Sequence, residues 1–253
     1  MSPEKAYEHA KKHGPSDKTR QIACEDPQYA YEYAKNIDKE PRNDTRKAAC
    51  KHPEYAYDYA FDVDKCPRED TREAICESPY YAYIYAKDVD MCPRNDTRKI
   101  VCKNPQWACL YAMHVDSCPR KDTREAACKH PKYAYLYASE VDKYPRDDTR
   151  EIACKHSEYV YYYALFVDKK PRKDTRKAAC KESPLAFFYA RNVDKCPRED
   201  TRKAACRNPK CAYYYARNID RELREETWLA VQGTEYEEKY NQFLNQIEKE
   251  KII

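Results

Sequence analysis

Glycine is almost missing from this chain, with two residues in 253. That scarcity excludes a flexible Gly-rich linker and a glycine-rich phosphate-cradling loop. With no composition break anywhere, one continuous domain over 1–253 is expected. Long apolar runs are also missing. None approaches the roughly 20 residues that cross a bilayer, and the start, MSPEKAYEHAKKHG, lacks the apolar centre of a secretory signal. A soluble, cytoplasmic protein without membrane contact is the expectation. Leucine is scarce, so Tyr, Ala, Val and Cys must build the core. A strong net charge is lacking too: 48 basic against 44 acidic residues leave +4. The isoelectric point near 8.3 falls below the value of about 9 usual for nucleic-acid-binding domains. No H-E-x-x-H, G-x-S-x-G or C-x-x-C motif occurs, which removes the local scaffolds of zinc and serine-hydrolase sites.

What the chain has is repetition. A 26-residue period begins with PQYAYEYAKNIDKEPRNDTRKAACKH at Pro27, and further units start at Pro53, Pro79, Pro105, Pro131, Ser157, Ser183 and Pro209. A shortened copy spans 1–26, the eight full units fill 27–234, and a tail follows at 235–253. A period of this size means stacked supersecondary units with atypical ends. The unit reads P-x-Y-A-Y-x-Y-A-x-x-V-D-x-x-P-R-x-D-T-R-x-A-A-C-x-x, numbered 1–26 below. Pro at position 1 suits the first turn of a helix, with Asp26, Ser78, Asn104 and Asn208 as N-caps before it. Positions 3, 7, 11, 4 and 8 form one apolar arc, and position 5 falls at its edge. Pro at position 15 is expected to end this helix, and Asp at position 18 to cap a second, shorter one ending in Ala-Ala-Cys. Tyr236, Tyr240, Phe243, Leu244 and Ile247 recur at helical spacing in the tail, predicting an amphipathic helix that seals the last repeat.

The string Arg98-Lys99-Ile100-Val101-Cys102-Lys103-Asn104-Pro105 resembles the core motif of leucine-rich variant repeats. The Asp-Thr-Arg-x-x-Ala string is similar to the second helix of HEAT repeats, and Tyr-Ala-Tyr-x-Tyr-Ala resembles tandem repeats of uncharacterised bacteriophage proteins. Together they cover nearly the whole chain to about Thr234. The resemblance implies an all-α, right-handed superhelix, in leucine-rich variant repeats an α-helix paired with a short 3₁₀ helix. The period of 26 and Tyr in place of Leu depart from those families, and no reaction is implied.

Fixed charges and varying surface positions supply the functional candidates. Asp recurs at positions 12 and 18 and Arg at 16 and 20, a balance that suits a ladder of ion pairs between repeats. The position-20 arginines are expected to hold repeats together. The post-proline row at position 16 (Arg68, Arg94, Arg120, Arg146, Arg172, Arg198) is the candidate anion site, with Tyr beside it for a single-stranded nucleic acid or a nucleotide. Tyr at position 7 should be core with a bonded hydroxyl. Position 6 drifts from Glu32 and Asp58 to Leu110, Leu136, Tyr162 and Phe188; with Leu165 and Phe166 these form a candidate apolar protein contact. Eight cysteines at position 24 read as small hydrophobes, and four at position 14 as unbridged turn residues. A repeat places like residues in rows, whereas catalysis needs unlike residues converging. A non-catalytic binding scaffold without cofactor, most naturally for a protein partner, is the reading, with anion binding as its rival.

Overall fold

The computed structural model describes residues 1–252, with side chains through Lys249. Every regular element among them is helical. Two compact units divide the chain, Met1–Ala127 and Cys128–Ile253. The first holds the N-terminal copy and the helices of repeats 1–4; the second holds repeats 5–8 and the tail.

Each full repeat is a long helix followed by a short one. The long helix starts at position 1 as an ordinary α-helix, as in Pro27–Tyr33. Asp26, Asn104 and Asn208 cap it through their side-chain oxygens. Ser78 holds the same position without a side-chain bond. The last turn then widens. Backbone N–H groups reach five residues back, as from Lys39 to Ala34 (2.8 Å), Lys195 to Ala190 (2.8 Å) and Arg221 to Ala216 (2.7 Å). Such π-type turns are rare and short wherever they occur.

The helix ends at Asp of position 12, earlier than the proline predicts. Position 13 turns left-handed in all eight repeats, from Lys39 at φ 57° to Arg221 at φ 54°. None of the eight is a glycine, although left-handed backbone costs other residues free energy. The proline therefore follows a stop already made.

The short helix is a seven-residue α-helix, Asn43–Ala49 in repeat 1, and not the 3₁₀ turn implied by the leucine-rich variant resemblance. Its N-cap is the post-proline arginine, not Asp of position 18. That aspartate lies inside the first turn, where it accepts the following Thr N–H (Asp44 to Thr45, 2.9 Å) and faces the positive end of the helix dipole.

Alanines at positions 4 and 8 are fully buried throughout, with Val160 standing at position 4 in repeat 6. Their small size allows neighbouring long helices to approach. Tyr of position 7 is fully buried in every full repeat, and position 5 is nearly so in Tyr31, Tyr83, Tyr161 and Tyr213. Position 3 is only half-buried in repeats 1–7, as at Tyr55, and buried at Cys211 of repeat 8. The buried arc is thus rotated toward position 5 relative to the sequence expectation, because a helix inside a stack packs against its own short helix and against long helices on either side.

The tail helix Glu237–Ile252 buries Tyr240 against Ala212, Tyr213, Ala216 and Val231, as the expected seal does.

Candidate functional site

Within each unit, two bonded ladders tie a repeat to the next. In the first, the position-7 hydroxyl reaches the N-terminus of the preceding short helix. Tyr59 Oη accepts from Arg42 N–H at 2.9 Å and lies 2.9 Å from Thr45 Oγ1. Tyr85, Tyr111, Tyr163, Tyr189 and Tyr215 repeat this arrangement. In the second, the position-20 guanidinium grips the position-12 carboxylate of the following repeat: Arg46 to Asp64 at 2.9 Å, Arg98 to Asp116 at 2.7 Å, Arg202 to Asp220 at 2.7 Å. These carboxylates are fully buried and the arginines nearly so. The guanidinium of each of these three also sits over a position-7 ring, 5.7 Å away for Arg46 and Tyr59.

The first copy and the last repeat depart from the ladders in their residues. The N-terminal copy, Pro3–His13 with Asp17–Ala23, departs from the ladder pattern. It carries His9 where later repeats carry the bonding Tyr, and no Asp at the end of its helix. The last short helix keeps Thr227, and Tyr240 of the tail bonds it at 2.8 Å. Trp228 replaces the ladder arginine there, and packs on the Tyr240 ring instead.

A third contact was not legible in the sequence because it joins positions of low apparent regularity. The position-5 hydroxyl meets the position-10 side chain of the next repeat. Asn36 donates to Tyr7 at 3.0 Å, Tyr57 donates to Asp88 at 3.4 Å, Tyr83 meets His114 at 2.7 Å, and Asn192 donates to Tyr161 at 2.7 Å. At Asp62 the carboxylate accepts from Tyr31 at 2.5 Å and from Lys35 at 2.7 Å. Positions 6, 9 and 10 form the outward face of the long helices above this row.

The post-proline arginines lie against carboxylates. Arg68, Arg120 and Arg198 approach Asp64, Asp116 and Asp194 at 3.2, 3.3 and 3.6 Å. Arg94, Arg146 and Arg172 approach Asp96, Asp148 and Asp174 at 3.9, 3.3 and 3.0 Å. The row is an outer rung of the charge ladder. Of the apolar candidates, Leu110 packs partly into the core of the first unit. In the second unit, Leu136, Tyr162 and Leu165 are half-buried, while Phe166 and Phe188 are 53% and 40% exposed. Tyr162 stands 6.2 Å from Phe166, and Tyr161 stands 6.3 Å from Phe188. Tyr214, 36% exposed, extends this aromatic surface and was not among the candidates.

All fourteen thiols are free. Those at position 24 are half-buried at the ends of the short helices, and burial pushes up the thiols of Cys24 (to about 11), Cys50 (to about 12), Cys76, Cys154, Cys180 and Cys206. Few thiolates form there at neutral pH, so these are inert packing groups. Cys66, Cys92 and Cys118 in the turns are exposed. Among the described residues, no cluster of His, Cys, Asp and Glu has metal-binding geometry, and no helix is long and apolar enough to cross a membrane.

The fold and this face define a helical-repeat protein with a constant frame and a variable surface. No known protein family, curated protein or solved structure matches the chain.

Proposed function

We propose that this protein is a non-catalytic binding scaffold, built on the plan of HEAT-like and leucine-rich variant solenoids, that holds a protein partner in the cytoplasm. The observation that carries this reading is the exposed aromatic and aliphatic surface of repeats 5–7, centred on Phe166 and Phe188. Exposed apolar side chains grouped on one face mark contact surfaces in soluble proteins, and aromatic anchors dominate the energetics of such contacts. The frame beneath them is fixed from repeat to repeat while positions 6, 9 and 10 change, a division that suits recognition. The kinship with bacteriophage Tyr-Ala repeats belongs to the same reading.

The test is affinity capture from the native host, followed by reconstitution with the purified partner. Leu136→Glu combined with Phe166→Glu should abolish the reconstituted complex and leave the melting temperature within a few degrees. A complex that survives both substitutions would refute the assignment of this face.

A further inference from the structure

The last two full repeats carry a second feature that the apolar face does not explain. Between their long helices lies a cleft of about 570 Å³ whose charged lining consists of Arg191, Lys195, Arg217 and Arg221. Arg191 and Arg217 hold position 9 of repeats 7 and 8; Lys195 and Arg221 hold the left-handed position 13. All four side chains are exposed, and no carboxylate lines the cleft. Arg217 donates to the neutral hydroxyl of Tyr213 at 3.2 Å, which leaves its charge unbalanced.

The repeat supplies its own controls. The equivalent groove between repeats 1 and 2 contains Lys35, Lys39 and Lys65, yet Asp62 neutralises Lys35 at 2.7 Å, and Phe61 takes the remaining place. In the next groove Lys87 lies 3.3 Å from Asp88. Repeats 5 and 6 place Ser139 and Leu165 at position 9, and repeats 6 and 7 place Leu165 and Arg191 there. Within either unit, four cations at positions 9 and 13 converge between repeats 7 and 8 alone.

Two further departures coincide here. Position 5 of repeat 7 is Phe187, so the hydroxyl that answers position 10 in five other pairs is missing, and the amide of Asn218 lies on the cleft wall. Beside it, sharing Arg191 and Asn218, is an apolar slot of about 450 Å³ with Phe187, Phe188, Cys211 and Tyr214 along it. The Phe187 ring stands 5.2 Å from Phe188 and 6.3 Å from Tyr214.

From this geometry we infer that the cleft between repeats 7 and 8 binds a nucleotide carrying two or three phosphates. The phosphates occupy the basic cleft, where arginine forks bind phosphate oxygens in pairs. The base enters the slot against Phe188 and Tyr214, since every base offers a face for stacking. Asn218, between the two compartments, offers both a donor and an acceptor to the base or sugar. Each of the two volumes falls within the range of ordinary small-ligand sites, roughly 300–1,000 Å³. This site does not rest on the protein-partner reading and uses no residue altered in its test.

Calorimetric titration of the full chain at low salt tests it, with the four common nucleoside diphosphates, pyrophosphate and an acidic Phe-containing peptide as probes. At least one diphosphate should bind at one site per chain. Arg191→Ser and Arg217→Ser should each weaken it about 10-fold, the size expected for a charged hydrogen bond. Asn218→Asp, which rebuilds the carboxylate of the first groove, should weaken it further. Tyr214→Ala should cost the nucleotide about 10-fold through lost stacking and leave pyrophosphate unchanged. Circular dichroism melting of each variant should match the parent, because all these side chains lie outside the ladders. Dissociation constants above about 1 mM for all four diphosphates, binding indifferent to the arginine changes, equal binding of pyrophosphate and nucleotide, or tighter binding of the peptide would each overturn the proposal.

Discussion

The groove between repeats 1 and 2 and the groove between repeats 7 and 8 stand on the same frame. Arg46 holds Asp64 at 2.9 Å in one, and Arg202 holds Asp220 at 2.7 Å in the other. Thr45 meets Tyr59 at 2.9 Å, and Thr201 meets Tyr215 at 2.8 Å. Their rims differ completely. Lys35, Tyr31 and Asp62 close the first rim into a neutral network, while the last rim presents Arg191, Arg217 and Asn218 without a carboxylate. The bonded frame and the varying rim thus occupy different positions of one motif. A rim can change from neutral to cationic without disturbing the buried bonds beneath it.

Removing the buried carboxylate should do the greatest damage, and equally at both places. Asp64→Ala and Asp220→Ala each leave a nearly buried guanidinium without its partner, at a cost of about 3–5 kcal/mol. Urea unfolding followed by circular dichroism measures this. A large difference between the two would show that the frames are not equivalent.

The hydroxyl ladder is the next lever. Tyr59→Phe and Tyr215→Phe strip the acceptor from Arg42 N–H and Arg198 N–H, for about 1–3 kcal/mol each. Burial pushes both hydroxyls above the ordinary tyrosine range, against opposing hydrogen bonds from the preceding repeat. A raised folded pKa means that the contribution is whole below the unfolded tyrosine pKa of about 10 and is lost as pH rises through the folded value. Absorbance of tyrosinate should therefore appear in two stages, the buried set ionising together with loss of helical signal.

The rim should matter least for stability. Asp62→Asn opens the first network at a cost of up to about 1 kcal/mol, as for exposed ion pairs. Burial pushes the Asp62 carboxyl up, but hydrogen bonds from Lys35 and Tyr31 outweigh it and hold the group below its ordinary value. That contribution is present above the ordinary carboxylate pKa and disappears as pH falls through the lowered one. The parent and Asp62→Asn should thus converge in stability in acid. A gap that persists there would mean the pair is not what Asp62 contributes.

The sequence made the frame readable because its features recur in register. Eight copies of Tyr at position 7 and seven of the full Asp–Arg set leave little choice but buried, mutually satisfied groups. The π-type turn left no such mark. No single residue type encodes it, and its left-handed exit falls on Lys, Met, Ser and Arg, where pattern reading expects glycine or asparagine. For the same reason the proline was credited with a stop that the backbone makes earlier. The tyrosine to position-10 row was hidden because Asn, Asp and His all serve as its partner. The basic cleft depends on Phe187 lacking a hydroxyl and on two repeats agreeing at position 9, a conjunction visible only once the helices are placed side by side.

The register of the ladders has a genetic consequence. Between full repeats, the ladder bonds of a short helix are answered a fixed distance along the chain, 14 residues on for Thr to Tyr and 18 for Arg to Asp. Excision of the 26 codons for Pro53–Ser78 would deliver Asp90 to Arg46 and Tyr85 to Thr45, so the new junction would be as complete as the old one. Slippage and unequal exchange within such a gene yield folded products whenever the step is a whole repeat. Length variation therefore costs this architecture little, and selection is free to act on the number of rims and on what each one carries.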